Sequence, residues 1–205
     1  MTKLTTLFFK IRRRNLALLG NWRRKWFLLE KRSLYPQRFL IDRTVQFGKR
    51  FEIIFDISAS SVRIGKNFQA RDNCIIRCES DGVIVIGDHV FFNNNCSINC
   101  MKGITIGDNN QFGENVRIYD HNHQYKDASV LISGQGYNKE EISIGNNCWI
   151  SSNVIILKGV SIGDNVVIGA GCIIHRSVPS HSLVINKQEL DIRPIDLLKV
   201  KNPPR

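Results

Sequence analysis

From Ile64 onward an aliphatic or aromatic residue returns at every sixth position, usually with glycine or a small polar residue after it. The clearest run is Ile144-Gly-Asn-Asn-Cys-Trp, Ile150-Ser-Ser-Asn-Val-Ile, Ile156-Leu-Lys-Gly-Val-Ser, Ile162-Gly-Asp-Asn-Val-Val and Ile168-Gly-Ala-Gly-Cys-Ile, ending on Ile174. An Ile-Gly pair followed by Asp, Asn or Lys recurs at Ile64, Ile86, Ile106, Ile144 and Ile162, at spacings of 22, 20, 38 and 18 residues. The shortest spacing is three hexads, one turn of a triangular coil. The longer ones are then coils with insertions of four, two and twenty residues, the last covering roughly residues 121–141. A solenoid tolerates insertions at its corners because each coil contacts only its neighbours.

A hexad is a short strand plus a turn. Its first residue points into the prism and its fifth lies near an inner corner, while Gly, Asn and Asp between them accept turn conformations that β-branched residues resist. The pattern predicts an all-β solenoid over residues 64–184, with a loop at 121–141 protruding from it. Lead-in strands are expected at 44–63, a basic helical arm at 1–43 and a C-terminal tail at 185–205. The same register explains four of the six cysteines. Cys74, Cys96, Cys148 and Cys172 are fifth residues of hexads starting at Ala70, Phe92, Ile144 and Ile168, where sister hexads carry Val. They read as small core fillers on separate coils rather than as converging zinc ligands.

With 205 residues and 42% hydrophobic content, the chain suits one ordinary domain. It has no apolar run near the ~20 residues of a membrane-spanning helix. The net charge of +11 is not spread evenly: residues 1–50 hold 14 Lys/Arg against 2 Asp/Glu, and residues 51–205 hold 15 against 16. Basic charge confined to one arm suits an acidic surface such as lipid phosphate, and nucleic acid is not expected as a partner because its groove would need cations across the body. Within the arm, Leu18, Leu19, Trp22, Trp26 and Leu29 follow helical spacing, with Arg23, Arg24 and Lys25 between them. Two readings stand. Residues 1–30 make peripheral membrane contact as an interfacial helix, or the helix caps the first coil, whose end would otherwise expose core. Leu4–Phe9 is shorter than the apolar region of about 7–15 residues in a secretory signal, so a cytoplasmic location is expected, at the inner face of the membrane under the first reading.

The twenty-residue insertion opens with Tyr119-Asp120-His121-Asn122-His123-Gln124-Tyr125, and the following coils carry Trp149-Ile150-Ser151-Ser152, then Ile168-Gly169-Ala170-Gly171 and His175-Arg176. With these motifs, the chain from about Val62 to Arg193 resembles the hexapeptide-repeat acyltransferases, closest to the galactoside, maltose and polysaccharide O-acetyltransferases. The resemblance implies a left-handed parallel β-helix and a homotrimer with sites between adjacent prisms. It implies acetyl-CoA as co-substrate, no metal, and a glycan or surface-polysaccharide precursor as acceptor. Transfer to a hydroxyl needs a base near neutral pKa, a task that suits histidine in a long functional loop. His123 matches the catalytic position at the loop entrance, with His121 as neighbour or fallback. Trp149, Ser152, Ala170, His175, Arg176 and Lys187 fall on the acyl-donor side, and Asn93 on the acceptor side. After Val184 the chain departs from the family pattern, with Ile185–Leu190 in place of the usual turn. An alternative reading makes the protein a noncatalytic solenoid, or a metal-dependent one resembling the gamma-class carbonic anhydrases, with His89, His121 and His123 as ligands.

Overall fold

The structure, a computed structural model, describes Trp26, Glu30, Ser33 and Leu34, then residues 37–55, 60–189 and 192–193. Those first four are helical and exposed. Within the arm expected to be helical, residues 37–43 are instead turns and the strand Phe39–Ile41, because they pair with the next coil. Its remaining residues, including Arg12–Arg14, Leu18, Leu19, Trp22 to Lys25 and Leu29, lie outside the described residues, as does the tail beyond Arg193.

The chain winds as a parallel β-solenoid whose three faces are sheets of six, seven and six strands. The first face runs through Phe39–Ile41, Ser61–Ile64, Val83–Ile86, Gly103–Ile106, Ile142–Ile144 and Ser161–Ile162. The second runs from Gln46–Phe47 to Leu183–Val184, and the third from Glu52–Phe55 to Ile173–Ile174. Strand order in each sheet follows coil order, so every coil pairs with the one before and the one after.

Winding begins earlier than the Ile-Gly signature predicts. Phe39–Ile41 already pairs in parallel register with Val62–Ile64, so residues expected as lead-in strands belong to the first coil and the start of the second. The signature missed this coil because its corner is built without glycine: Asp42 accepts from the Thr44 backbone N–H at 2.8 Å and from its hydroxyl at 2.6 Å, a side-chain turn.

Elsewhere the turns follow the hexad. Its fourth residue is left-handed at Asn67, Asn73, Asn95, Asn109, Asn115, Asn147, Asn153 and Asn165, with φ between 54° and 62°. Asn tolerates that region better than other residues with a Cβ because its short polar side chain can bond locally. The glycine at the second position serves close approach: a Cβ on Gly87 would lie 2.8 Å from the Gly107 carbonyl carbon on the next coil.

Inward side chains stack into rows. Ala70, Phe92, Phe112, Ile150 and Ile168 stack along the second face, and Phe68 enters from the neighbouring corner over Ala70 to meet Phe92 edge-on at 5.5 Å. Phe92 and Phe112 follow at 4.5 Å. All six cysteines are buried and unbridged, with Cys78 in register with Cys100 on the third face. The insertions at 79–82, 101–102 and 120–141 all leave the corner where the third face passes to the first.

Candidate active site

Alternation along the third face places Ile118 inward, Tyr119 outward and Asp120 inward again, so Asp120 is a carboxylate with no exposed surface. Burial of such a group is tolerable only with partners. Oδ2 accepts from the backbone N–H of Met101 at 3.0 Å, Lys102 at 2.7 Å and Gly103 at 2.9 Å, and Oδ1 from Met101 at 2.9 Å. The two-residue insertion of the preceding coil therefore wraps the carboxylate in amides. A fifth contact, at 2.9 Å, joins Oδ1 to His121 Nδ1.

From that anchor the chain leaves the prism as an antiparallel hairpin of His121–His123 and Tyr137–Lys139. His121 faces Lys139, and His123 faces Tyr137. Residues two apart on a strand share a face, so both imidazoles and the Tyr137 ring lie on one side. Tyr137 meets His121 edge-on at 5.3 Å and His123 at 4.6 Å. His121 is half-buried, and His123 is exposed.

The returning limb is tied down at the same corner. The Glu140 N–H donates to the Asp120 carbonyl at 2.8 Å, Glu140 pairs with Lys158, Lys139 with Asp81 at 3.5 Å, and Glu141 with Lys102 at 3.9 Å. Both smaller insertions thus form a seat for the long one. Its tip is ordered by side chains as well. Asp127 accepts from the Ser129 hydroxyl and N–H, bonds that hold its carboxyl below the usual range, and Gln135 donates to the carbonyls of Asp127 and Val130 at 2.9 and 2.8 Å.

The other predicted residues lie elsewhere on the prism. Trp149 stands outward on the second face between Gln111 and Val167 and is 55% exposed. Ser152 turns the following corner, its hydroxyl oxygen accepting from the Glu114 N–H at 3.2 Å. Asn93 caps its own turn, its Oδ1 accepting from the Asn94 N–H at 2.9 Å. Ala170 and Lys187 are exposed. His175 and Arg176 are exposed where a cavity of about 290 Å³ opens at the C-terminal end of the prism, beside inward Ile174, Val178 and Val184. Within one chain, then, the histidines occupy the corner between the third and first faces, while Trp149 and Ser152 occupy the second face and its exit. Tyr137 and Asp120 were not among the predicted site residues.

Cys96 and Cys100 are pushed above the ordinary thiol value, first by hydrogen bonds with the thiols of Cys74 and Cys78 and then by burial; the same bonds hold Cys74 and Cys78 below it, and burial raises Cys148. All six are buried. A ligand or nucleophile would need the thiolate. Among the described residues no three His, Cys, Asp or Glu side chains group as metal ligands. His89 turns the corner between the first and second faces, away from the loop.

Two family descriptions match the coils: bacterial transferase hexapeptide (six repeats) over residues 141–176, and hexapeptide repeat of succinyl-transferase over residues 83–118. The galactoside O-acetyltransferase of Escherichia coli K12 is 41% identical over 96 residues, 47% of this chain and 46% of that protein. A putative lipopolysaccharide biosynthesis O-acetyl transferase of the same organism is 28% identical over 131 residues, 60% of this chain and 67% of that protein. Among solved structures, the AntD N-acyltransferase of Bacillus cereus with dTDP and coenzyme A superposes with a TM-score of 0.56 at 17% identity, over 75% of this chain and 81% of that one. That likeness is one of fold. The chain spans about half to two thirds of the length of the curated relatives it matches.

Proposed function

We propose that the chain, whose coils match two hexapeptide-repeat transferase descriptions, is an acetyl-CoA-dependent O-acetyltransferase of the hexapeptide-repeat superfamily acting on a glycan, such as a surface-polysaccharide precursor. The observation that carries the reading is the histidine hairpin, which is seated on three coils and presents His123 to solvent. In the reaction, His123 takes the proton of the acceptor hydroxyl as its oxygen attacks the thioester carbonyl. The tetrahedral intermediate then expels coenzyme A as a thiolate, which recovers the proton from His123, so no acyl-enzyme forms. Trp149, Ser152, Ala170, His175, Arg176 and Lys187 hold the donor, and Asn93 meets the acceptor.

One prism does not bring the two halves of this site together, since a whole face separates the hairpin corner from Trp149. This supports a homotrimer in which a neighbouring copy presents its second face to the hairpin. An acetyl-CoA donor supports a cytoplasmic location, and the basic arm supports contact with the inner face of the membrane.

Calorimetry with coenzyme A, followed by acetyl transfer to a panel of capsule and lipopolysaccharide fragments, tests the reading. Binding plus a product with one added acetyl ester is expected. No coenzyme A binding at millimolar concentration, with stoichiometric zinc in the purified protein, would overturn it in favour of a metal-dependent solenoid.

A further inference from the structure

His121 has no part in the proton transfer above, yet it is the better-positioned imidazole. Its Nδ1 lies 2.9 Å from a carboxylate that has no exposed surface and already accepts from three backbone N–H groups. A carboxylate only accepts, so Nδ1 carries the hydrogen, and in the neutral ring Nε2 is left as an acceptor. The tautomer is thereby fixed from inside the prism. Nδ1 meets the buried carboxylate, so Nε2 points away from it, and the side chain as a whole keeps 18% exposure.

His123 lies on the same face of the same strand, about two residue rises or roughly 7 Å away at Cβ, with the Tyr137 ring against both. Tyr137, 38% exposed, offers an apolar face between two hydrogen-bond acceptors. The hairpin cation on this face, Lys139, is drawn toward Asp81.

We propose that His121, its tautomer locked by Asp120, is a specificity residue: it accepts a hydrogen bond from a second hydroxyl of the acceptor while His123 takes the proton of the reacting one. The site therefore selects a neutral ring with two adjacent free hydroxyls lying over Tyr137, and it disfavours an acceptor whose neighbouring hydroxyl is missing or substituted. The proposal rests on the acetyltransferase reading.

The test compares methyl glycosides carrying a free vicinal diol with their monodeoxy counterparts, using the intact protein. Wild type should prefer the diol by roughly 100-fold or somewhat less in kcat/KM, the cost of leaving one partly buried polar group unpaired. His121→Phe keeps a ring against Tyr137 and removes the acceptor. It should reduce the preference to about threefold or less, the loss falling mainly on the acceptor KM at unchanged KM for acetyl-CoA. If the folded variant keeps the wild-type preference, or if it loses kcat at unchanged acceptor KM as a base would, the proposal is overturned. Coenzyme A binding with turnover of single-hydroxyl acceptors alone, or of no panel acceptor, also overturns it. Failure to bind coenzyme A instead sinks the acetyltransferase reading itself.

Discussion

His121 and His123, two residues apart, have been given different surroundings, and their replacements should fail differently. The His123 ring is exposed and meets Tyr137, so His123→Ala should leave the melting temperature and coenzyme A affinity near wild type while turnover falls by about 100 to 10,000-fold, the range of a lost general base. Single-turnover kinetics with a purified acceptor would check this, and the same loss from His121→Ala would show the base misassigned. The cysteines make a second residue-scale case. Cys96, Cys100 and Cys148 are held above the ordinary thiol value and Cys74 and Cys78 below it, but all six are buried, so Ellman's reagent at pH 8 should find almost no reactive thiol in the native protein and six after denaturation. Prompt reaction of two or more native thiols would contradict the packing. Four of these positions were legible as fifth residues of hexads. Asp120 was not singled out because a hexad count stops where the insertion begins, although plain alternation from Ile118 would have marked it as an inward carboxylate. Tyr137 carries no local signal; only the hairpin register brings it to the histidines.

At the scale of elements, each coil closes on its neighbours without help from the long loop. Ile104–Ile106 pairs directly with Ile142–Ile144, and Asp120 is anchored by amides of the preceding coil rather than by the hairpin tip. Replacing residues 122–138 by two glycines should therefore lower the melting temperature by about 4 °C or less, the effect of a loss near 1 kcal/mol in a domain of this size. Acetyl transfer should vanish in the same variant. A large fall in melting temperature would mean that the hairpin, and not the Asp120 cluster, closes that corner. This separability also explains what could be read from the chain. The register, the asparagine turns and the sizes of the insertions are local properties repeated many times, whereas the first coil replaces glycine by the Asp42–Thr44 turn and escapes the repeat. That all three insertions share one corner, with the two short ones seating the long one, depends on the stacking of coils and has no local signature.

For the whole molecule, the two ends of the prism differ. Inward residues of the first coil, Phe39, Ile41 and Val45, are 1%, 1% and 0% exposed, as sealed as those of middle coils, while the last coil opens on the cavity beside Ile174 and Val178. A cap over this first coil is one of the two roles expected of residues 1–30 from the sequence. The charge of that segment, with Trp26 69% exposed, favours an acidic surface, and one helix can serve both because its two faces are independent. Removing residues 1–30 separates the roles. Loss of a cap would expose three large or branched side chains, each worth about 1.5–3 kcal/mol when buried, and at about 2–4 °C per kcal/mol the melting temperature should fall by roughly 10 °C or more. Loss of a membrane anchor would instead abolish sedimentation with anionic vesicles, to which each basic residue near the surface adds about 1 kcal/mol, and the binding by the intact protein should weaken as salt rises. We expect both effects in one truncation, with acetylation of a short soluble acceptor surviving at temperatures below the new transition. A truncated protein that melts as wild type does would remove the cap, and an intact protein that ignores anionic vesicles at low salt would remove the anchor.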